Sequence, residues 1–207
     1  FHGISPFDIR TGKPLASNNA APKYTNVFSD ALVREAKDNE DVVAITAAMK
    51  DGTGLAKFSS EFPDRFIDVG IAEEHAVGLA SGLAASGKLP VVALYSTFLQ
   101  RAIDQVIIDN ALPDLHVIFA IDRGGLVGDD GPTHHGVFDL VYTRMVPHMR
   151  VLAPSDEAEL VSALHTALAL DGPVALRYPR GAGRGVVLPS EPETFEPGVS
   201  RLVREGS

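Results

Sequence analysis

The sequence predicts a doubly wound α/β domain, a mostly parallel sheet with helices on both faces. Three runs with apolar interiors, VVAIT at 42–46, PVVALY at 90–95 and HVIFAID at 116–122, carry that expectation. Runs without polar alternation mark strands buried on both faces, and the stretches between them are long enough for crossover helices. The chain has 207 residues and is 45% hydrophobic, enough for a substantial core. It is the size of one large domain, commonly roughly 100–200 residues.

Residues 1–23 contain Pro6, Pro14, Pro22 and a polar SNNA cluster without periodicity, which reads as a linker arm from a preceding domain. His2 lies in that arm. Thr25 is expected to cap a first helix whose apolar positions Phe28, Ala31, Leu32 and Ala36 repeat at helical spacing. The strand at 42–46 follows. A glycine turn then leads to a short helix at 54–61, closed by Pro63, and to the strand RFIDV.

A helix is expected from Glu73 to Ser86, with Gly87 as its stop. Gly78 and Gly82 each weaken a helix by about 1 kcal/mol relative to alanine, so a closely packed neighbour is expected there. After PVVALY comes one continuous helix, TFLQRAIDQVIIDNAL, and after HVIFAID a glycine-rich loop at 123–136. MRVLAP is a further strand. Ser155 is expected to cap the helix DEAELVSALHTALAL, and PVALRYP is the last strand. The α/β domain is thus expected over 24–180, with 181–207 a Gly/Pro-rich connector toward an absent C-terminal domain. The chain reads as a piece of something larger.

Composition narrows the function. A net charge of −9 argues against a general nucleic-acid or membrane-surface binder, because such an interface needs a basic face. There is no cysteine, hence no disulfide or thiolate metal site, and a cytoplasmic setting is compatible. No apolar run approaches the roughly 18 residues of a membrane span. GxGxxG after a strand and GxxxxGK[ST] are both missing; GTG at 52–54 and GAGRG at 181–185 are weaker signals.

Ligands of open α/β sheets bind beyond the carboxyl ends of the strands, and four such ends carry polar residues. Glu73 and Glu74 follow RFIDV; at a helix start a glutamate also serves simply as a dipole partner, and position alone does not choose between the two. Tyr95 ends the next strand, with Phe98 and Arg101 three apart behind it, a set suited to a flat aromatic ligand with an anion nearby. Arg123, Arg177 and Arg180 stand at the remaining ends, and planar guanidinium forks suit phosphate or carboxylate; the bland alternative is scattered surface ion pairs. In the 123–136 loop, Asp130 and His134 fit acid/base work or hydroxyl recognition better than metal ligation, because the loop lacks a ligating frame. His116, His148 and His165 read as structural or solvent-facing.

Four segments, DVGIAEEHAVGLASGL, YSTFLQRAIDQVIIDNALP, FAIDRGGLVGDDGPTHHGVFDL and ALRYPRG, occur in this order. Together they resemble the pyrimidine-binding domain of the 1-deoxy-D-xylulose-5-phosphate synthase family, whose members use thiamine diphosphate within the transketolase-like superfamily. The resemblance spans nearly the whole chain; AE-H and AIDQ specify only the superfamily, while YSTFLQRA, DGPTHHG and RYPRG are more specific. It implies that Glu73 is the catalytic glutamate, its carboxyl hydrogen-bonded to a pyrimidine ring nitrogen so that the thiazolium proton can be removed. It implies further that Phe98 stacks on the pyrimidine, that Tyr95, Arg123 and Arg180 hold an acceptor's phosphate, and that Arg101 lies near the pyruvate-derived part. Asp130 and His134 match loop residues that contact the acceptor or move its protons, and His2 matches a histidine reaching the site from the arm.

The implied reaction joins pyruvate to D-glyceraldehyde 3-phosphate with loss of carbon dioxide, giving 1-deoxy-D-xylulose 5-phosphate, a precursor in isoprenoid, thiamine and pyridoxal biosynthesis. Thiamine diphosphate and Mg2+ are the implied cofactors and a homodimer the implied assembly. The family's GDG-and-asparagine diphosphate motif, which carries the Mg2+ ligands, is not in this sequence, so an N-terminal domain is an implied partner. A 2-oxoacid dehydrogenase β-type subunit and a non-catalytic assembly module of the same fold are the alternatives.

Overall fold

The computed structural model describes residues 7–13, 21–196, 198, 199, 204 and 205; the expectation for His2 falls outside them. Six strands form one sheet: β1 Val42–Thr46, β2 Phe66–Asp68, β3 Leu89–Tyr95, β4 Ile118–Asp122, β5 Arg150–Leu152 and β6 Val174–Arg177. Their order is β2-β1-β3-β4-β6-β5, and every pairing is parallel. β1 has β2 on one side and β3 on the other, so the chain reverses its winding at β1 and opens a crevice at the carboxyl ends there.

The helices are α1 Tyr24–Asp38, α2 Ala56–Glu61, α3 Glu73–Ala85, α4 Ser96–Leu99, α5 Ile103–Gln105, α6 Asp139–Met145 and α7 Glu157–Ala169. Two cores result, one on each face. Val42, Ala44, Val91, Ala93, Ile118 and Ala120 pack with Phe28, Leu32, Phe58 and Leu160 of α1, α2 and α7. Their chain neighbours Val43, Ile45, Val92, Leu94, Phe119 and Ile121 pack with Ala76, Val77 and Ala80 of α3 on the other face. Because successive strand side chains point to opposite faces, both sets must be apolar, which is why the strands read as unbroken apolar runs. Emptying one such position, as in Phe119→Ala, costs about 3–5 kcal/mol.

Several local expectations are corrected. α1 starts one residue before Thr25, with Lys23 in the cap position and no side-chain cap bond; the Thr25 hydroxyl instead donates to Asp122 Oδ2 at 2.8 Å. Asp156, not Ser155, caps α7, its carboxylate accepting the Glu159 N–H at 2.8 Å. The expected continuous helix after β3 is broken into α4, a 3-10 turn at Gln100–Ala102, α5 and a π turn at Val106–Ala111. α6 was not foreseen. The close neighbour expected at Gly82 is absent among the described residues, since a Cβ there would meet nothing within 4 Å, while at Gly78 it would meet Asp109 Oδ2 at 3.7 Å.

Candidate active site

The carboxyl edge is built on strand register. Tyr95 stands beside Asp122 and Thr46 beside Asp68, while Thr46 pairs with Ala93, so β3 and β4 end together two residues beyond the common end of β1 and β2. Past β2, Asp68 Oδ1 accepts the N–H groups of Ala48 at 2.8 Å and Gly70 at 3.0 Å. One carboxylate thereby fixes both the turn after β1 and the approach to α3, whose first residue is Glu73.

The structure separates the two glutamates that position at the helix start alone could not. Glu73 is 3% exposed, whereas Glu74 faces solvent. A carboxylate out of water needs a partner, and Arg101 Nη1 supplies it at 2.5 Å from Glu73 Oε1. The arginine side chain itself is 49% exposed, so the pair opens onto the crevice.

From Arg101 an unbroken series of contacts crosses the edge. The guanidinium carbon lies 5.0 Å from the centre of the Phe98 ring; the 3-10 turn that carries Arg101 brings residues three apart into line. Phe98 stacks on Tyr95 with ring centres 5.5 Å apart, and the Phe98 and His134 rings meet edge to face with centres 5.5 Å apart. Arg123 covers the Tyr95 ring, its guanidinium carbon 3.5 Å from the centroid. Asp130 then stands between two arginines, its Oδ2 3.0 Å from Arg180 Nε and 3.4 Å from Arg123 Nε. Glu73, Arg101, Phe98, Tyr95, Arg123, Asp130, Arg180 and His134, nominated from four separate strand ends, therefore occupy one continuous surface.

Burial tunes the deeper groups. Desolvation pushes Tyr95 up to about 12, against the opposing charge of Arg123, so its phenol is a neutral donor at neutral pH. Asp122, fully buried, is pushed up to about 6 by desolvation, which outweighs the Arg123 charge and the hydrogen bonds from Thr25 and the Arg123 N–H. The loop is tied down at its far end: the Thr97 hydroxyl donates to the Thr133 carbonyl at 2.9 Å, and Thr133 Oγ1 lies 2.9 Å from His134 Nδ1.

One nominated arginine is spent elsewhere. Arg177 Nε lies 2.6 Å from Asp139 Oδ2, a carboxylate 1% exposed at the start of α6, so Arg177 pins α6 rather than offering a free fork. His116 is bonded to the Ala167 carbonyl at 3.0 Å and His165 to Glu35 at 3.1 Å, both structural placements. Among the described residues no three His, Cys, Asp or Glu side chains gather as a metal cluster. Sequence reasoning missed Asp122; the only signal was an aspartate at the end of an apolar strand directly before a candidate arginine.

Comparison with known proteins follows the same lines. Residues 20–185 match the family described as transketolase, pyrimidine binding domain. The chain belongs to that family. It is 59% identical over 206 residues to 1-deoxy-D-xylulose-5-phosphate synthase 1 of Geobacter sulfurreducens, covering 100% of this chain and 32% of that protein. It is 60% identical over 204 residues to 1-deoxy-D-xylulose-5-phosphate synthase of Anaeromyxobacter dehalogenans, covering 98% of this chain and 32% of the relative. The chain thus spans about a third of the length of these curated relatives.

Among solved structures, a split-gene transketolase, described as an inactive beta4 tetramer, superposes with a TM-score of 0.78 at 30% identity, over 90% of this chain and 60% of that one. Transketolase from Campylobacter jejuni matches with a TM-score of 0.74 at 24% identity, over 83% of this chain and 28% of that one, a likeness of fold. The pyrimidine-binding family and its fold are therefore the frame in which the edge described above has to function. No helix among the described residues is long and apolar enough to cross a membrane.

Proposed function

We propose that this pyrimidine-binding domain is part of a thiamine diphosphate enzyme that condenses pyruvate with D-glyceraldehyde 3-phosphate, releasing carbon dioxide and forming 1-deoxy-D-xylulose 5-phosphate. The observation that carries the proposal is the contact series from a buried carboxylate, Glu73, to two arginines that share Asp130. It supports reading Glu73 as an acid/base group at one end of the crevice and the two arginines as an anion grip at the other. High identity to proteins named as this synthase supports the same reading.

The residues fit the pyrimidine half of the cofactor. Glu73 is 3% exposed with one oxygen on a half-exposed guanidinium, a carboxyl suited to a heterocyclic ring nitrogen, and Phe98 offers a flat apolar surface near it. When bound, the cofactor supplies a carbon acid able to accept and release the acyl carbanion equivalent. Within this chain, Glu73 holds or moves the proton at the ring nitrogen. Arg101, beside it, neutralises the carboxylate of the keto acid. Arg123 and Arg180 receive the phosphate of the aldehyde, where a planar fork offers paired charge-assisted bonds. Tyr95 backs Arg123 with the face of its ring, and His134 and Asp130 manage the acceptor's hydroxyl protons from the loop.

The remainder of the enzyme supplies the other half of the site, an N-terminal domain binding the diphosphate and Mg2+ and a second copy in a homodimer, and His2 of this chain's own arm joins them there. A cytoplasmic setting suits the cysteine-free sequence. The 2-oxoacid dehydrogenase β-type reading is disfavoured because two arginines converging on one carboxylate suit a phosphorylated acceptor.

The test uses the full-length protein with pyruvate and D-glyceraldehyde 3-phosphate. Product formation is expected, and Arg180→Ala is expected to raise KM for the phosphorylated aldehyde about tenfold or more while leaving that for D-glyceraldehyde nearly unchanged. An equal rise for both aldehydes would remove the phosphate role, and absence of turnover in the wild type would remove the reaction.

A further inference from the structure

The glycine motif Gly52-Thr53-Gly54, in the turn after β1, has no part in the roles given so far. Its backbone is held rigidly. Thr53 is fully buried, and both its N–H and its hydroxyl donate to the Met49 carbonyl at 2.9 Å. The Leu55 N–H donates to the Lys50 carbonyl at 2.9 Å, and the Leu55 side chain is fully buried. Gly54 has a φ of +78°, and a Cβ there would stand 2.7 Å from the Thr25 carbonyl, so only glycine lets this turn lie against the first turn of α1.

On that support Gly52 does two things at once. Its carbonyl accepts a hydrogen bond from Arg123 Nη1 at 3.1 Å. Its missing side chain leaves the space filled by the Tyr95 phenol: a Cβ at Gly52 would overlap Tyr95 Oη and stand 3.0 Å from Tyr95 Cζ. Tyr95 in turn provides the ring surface on which the Arg123 guanidinium rests. Both Arg123 and its aromatic support are thus located from one backbone position that bears no functional group. The remaining contacts of Arg123, to Asp122 and Asp130 at 3.4 Å each, are longer and leave its aim to Gly52 and Tyr95.

We infer that Gly52 is a positioning residue for anion recognition: it sets the aim of Arg123 and the seat of Tyr95, and through them the preference for a phosphorylated over an unphosphorylated acceptor. The inference rests on the reading of Arg123 and Arg180 as an anion grip. A β-methyl at position 52 displaces the Tyr95 ring and with it the guanidinium, and displacements of about 1 Å at a binding group suffice for large losses. Removing the phenol oxygen takes away the overlapping atom and leaves only the closer approach to the ring carbon.

The experiment compares wild type, Gly52→Ala and the double variant G52A/Y95F in the full-length enzyme, with steady-state kinetics on D-glyceraldehyde 3-phosphate and on D-glyceraldehyde. Gly52→Ala is expected to raise KM for the phosphorylated aldehyde about tenfold, with a smaller fall in kcat and a change below about twofold in KM for the unphosphorylated one. G52A/Y95F is expected to recover at least about threefold of the lost KM relative to Gly52→Ala. If Gly52→Ala is insoluble, the double variant carries the test, and it must fold and keep a preference for the phosphorylated aldehyde. An unchanged KM in Gly52→Ala, an equal rise for both aldehydes, or a double variant no better than the single one overturns the inference. A wild-type enzyme indifferent to the phosphate overturns the anion-grip reading instead, a separate and recognisable failure.

Discussion

Arg101 Nη1 lies 2.5 Å from Oε1 of Glu73, joining a half-exposed cation to a carboxylate that is 3% exposed. Desolvation makes such a carboxylate dependent on its partner, since removing one member of a buried pair leaves an uncompensated charge. Glu73→Ala in the full-length enzyme is expected to lower kcat by about 10²–10⁴-fold, the usual range for a lost acid/base group. Cofactor affinity, read by calorimetric titration, falls far less. Near-normal turnover in Glu73→Ala sinks the assignment. Arg101→Ala is expected to lower kcat/KM through a raised KM for the keto acid, and Arg101→Lys to restore only part of it because the planar fork is lost.

How much of this was legible in the sequence depends on how local each signal is. The strands were legible because burial on both faces demands unbroken apolar runs, as at 42–46 and 90–95. The choice between Glu73 and Glu74 was legible only through the family resemblance, because both lie in the first turn of α3 and favour its dipole equally; physically, only their rotation about the helix axis separates them. Thr25 read as a cap by its place before an apolar period, yet its partner Asp122 is 97 residues away. Ser155 and Asp156 are adjacent and both able to cap, so the helix start was one residue off. The π turn at Val106–Ala111 carries no spacing signal, and the clearance between Gly52 and Tyr95 exists only after two distant segments meet.

Asp122 gives a pH dependence with a definite sign. Its folded value is pushed up to about 6 by burial, from an ordinary 3.8. The folded state therefore binds more protons than the unfolded chain between about pH 4 and 6, and this group's contribution falls as pH rises through that window. An isosteric Asp122→Asn carries no such titration and keeps an oxygen for the Arg123 N–H. The melting temperature of Asp122→Asn minus that of wild type is expected to grow from pH 4 to pH 7, by the equivalent of about 2–3 kcal/mol. A difference that is flat across this range counts against a strained buried carboxylate. Thr25→Val, which removes one of its donors, is expected to cost about 1–3 kcal/mol at pH 7, with Thr25→Ser close to wild type.

Glu157, fully buried at the start of α7, holds the segment that follows Arg180. Its carboxylate accepts the N–H groups of Arg184, Gly185 and Val186 at 2.9, 2.5 and 3.1 Å. Burial raises its pKa, but these backbone bonds prevail and hold it below the usual value. A carboxylate lowered in this way contributes stability above its unfolded pKa that is lost as pH falls through the folded value. The residues just before them pair with the segment that leads into α1, Gly183 N–H to the Pro22 carbonyl at 2.8 Å and Tyr24 N–H to the Gly181 carbonyl at 3.0 Å. Glu157→Ala is expected to release 181–186 and speed tryptic cleavage after Arg184 severalfold, read by mass spectrometry over time. It is also expected to loosen Arg180 and raise KM for the phosphorylated aldehyde. Unchanged cleavage would show that the connector is held by something other than Glu157.

Gly82 offers the reverse case, a glycine with no conformational reason to be one. It lies inside α3 and has no left-handed φ, and an added Cβ would meet nothing within 4 Å. Glycine in a helix interior costs about 0.5–1 kcal/mol against alanine because the unfolded chain has more freedom to lose. Gly82→Ala is therefore expected to raise the melting temperature of this chain by about 1–4 °C. Gly54→Ala is the opposing control: with φ at +78° and a Cβ 2.7 Å from the Thr25 carbonyl, it is expected to lower the melting temperature. If Gly82→Ala stabilises this chain yet destabilises the full-length enzyme, a surface from outside these 207 residues lies against α3 at that point. If it destabilises the chain alone, the open space beside Gly82 is wrong.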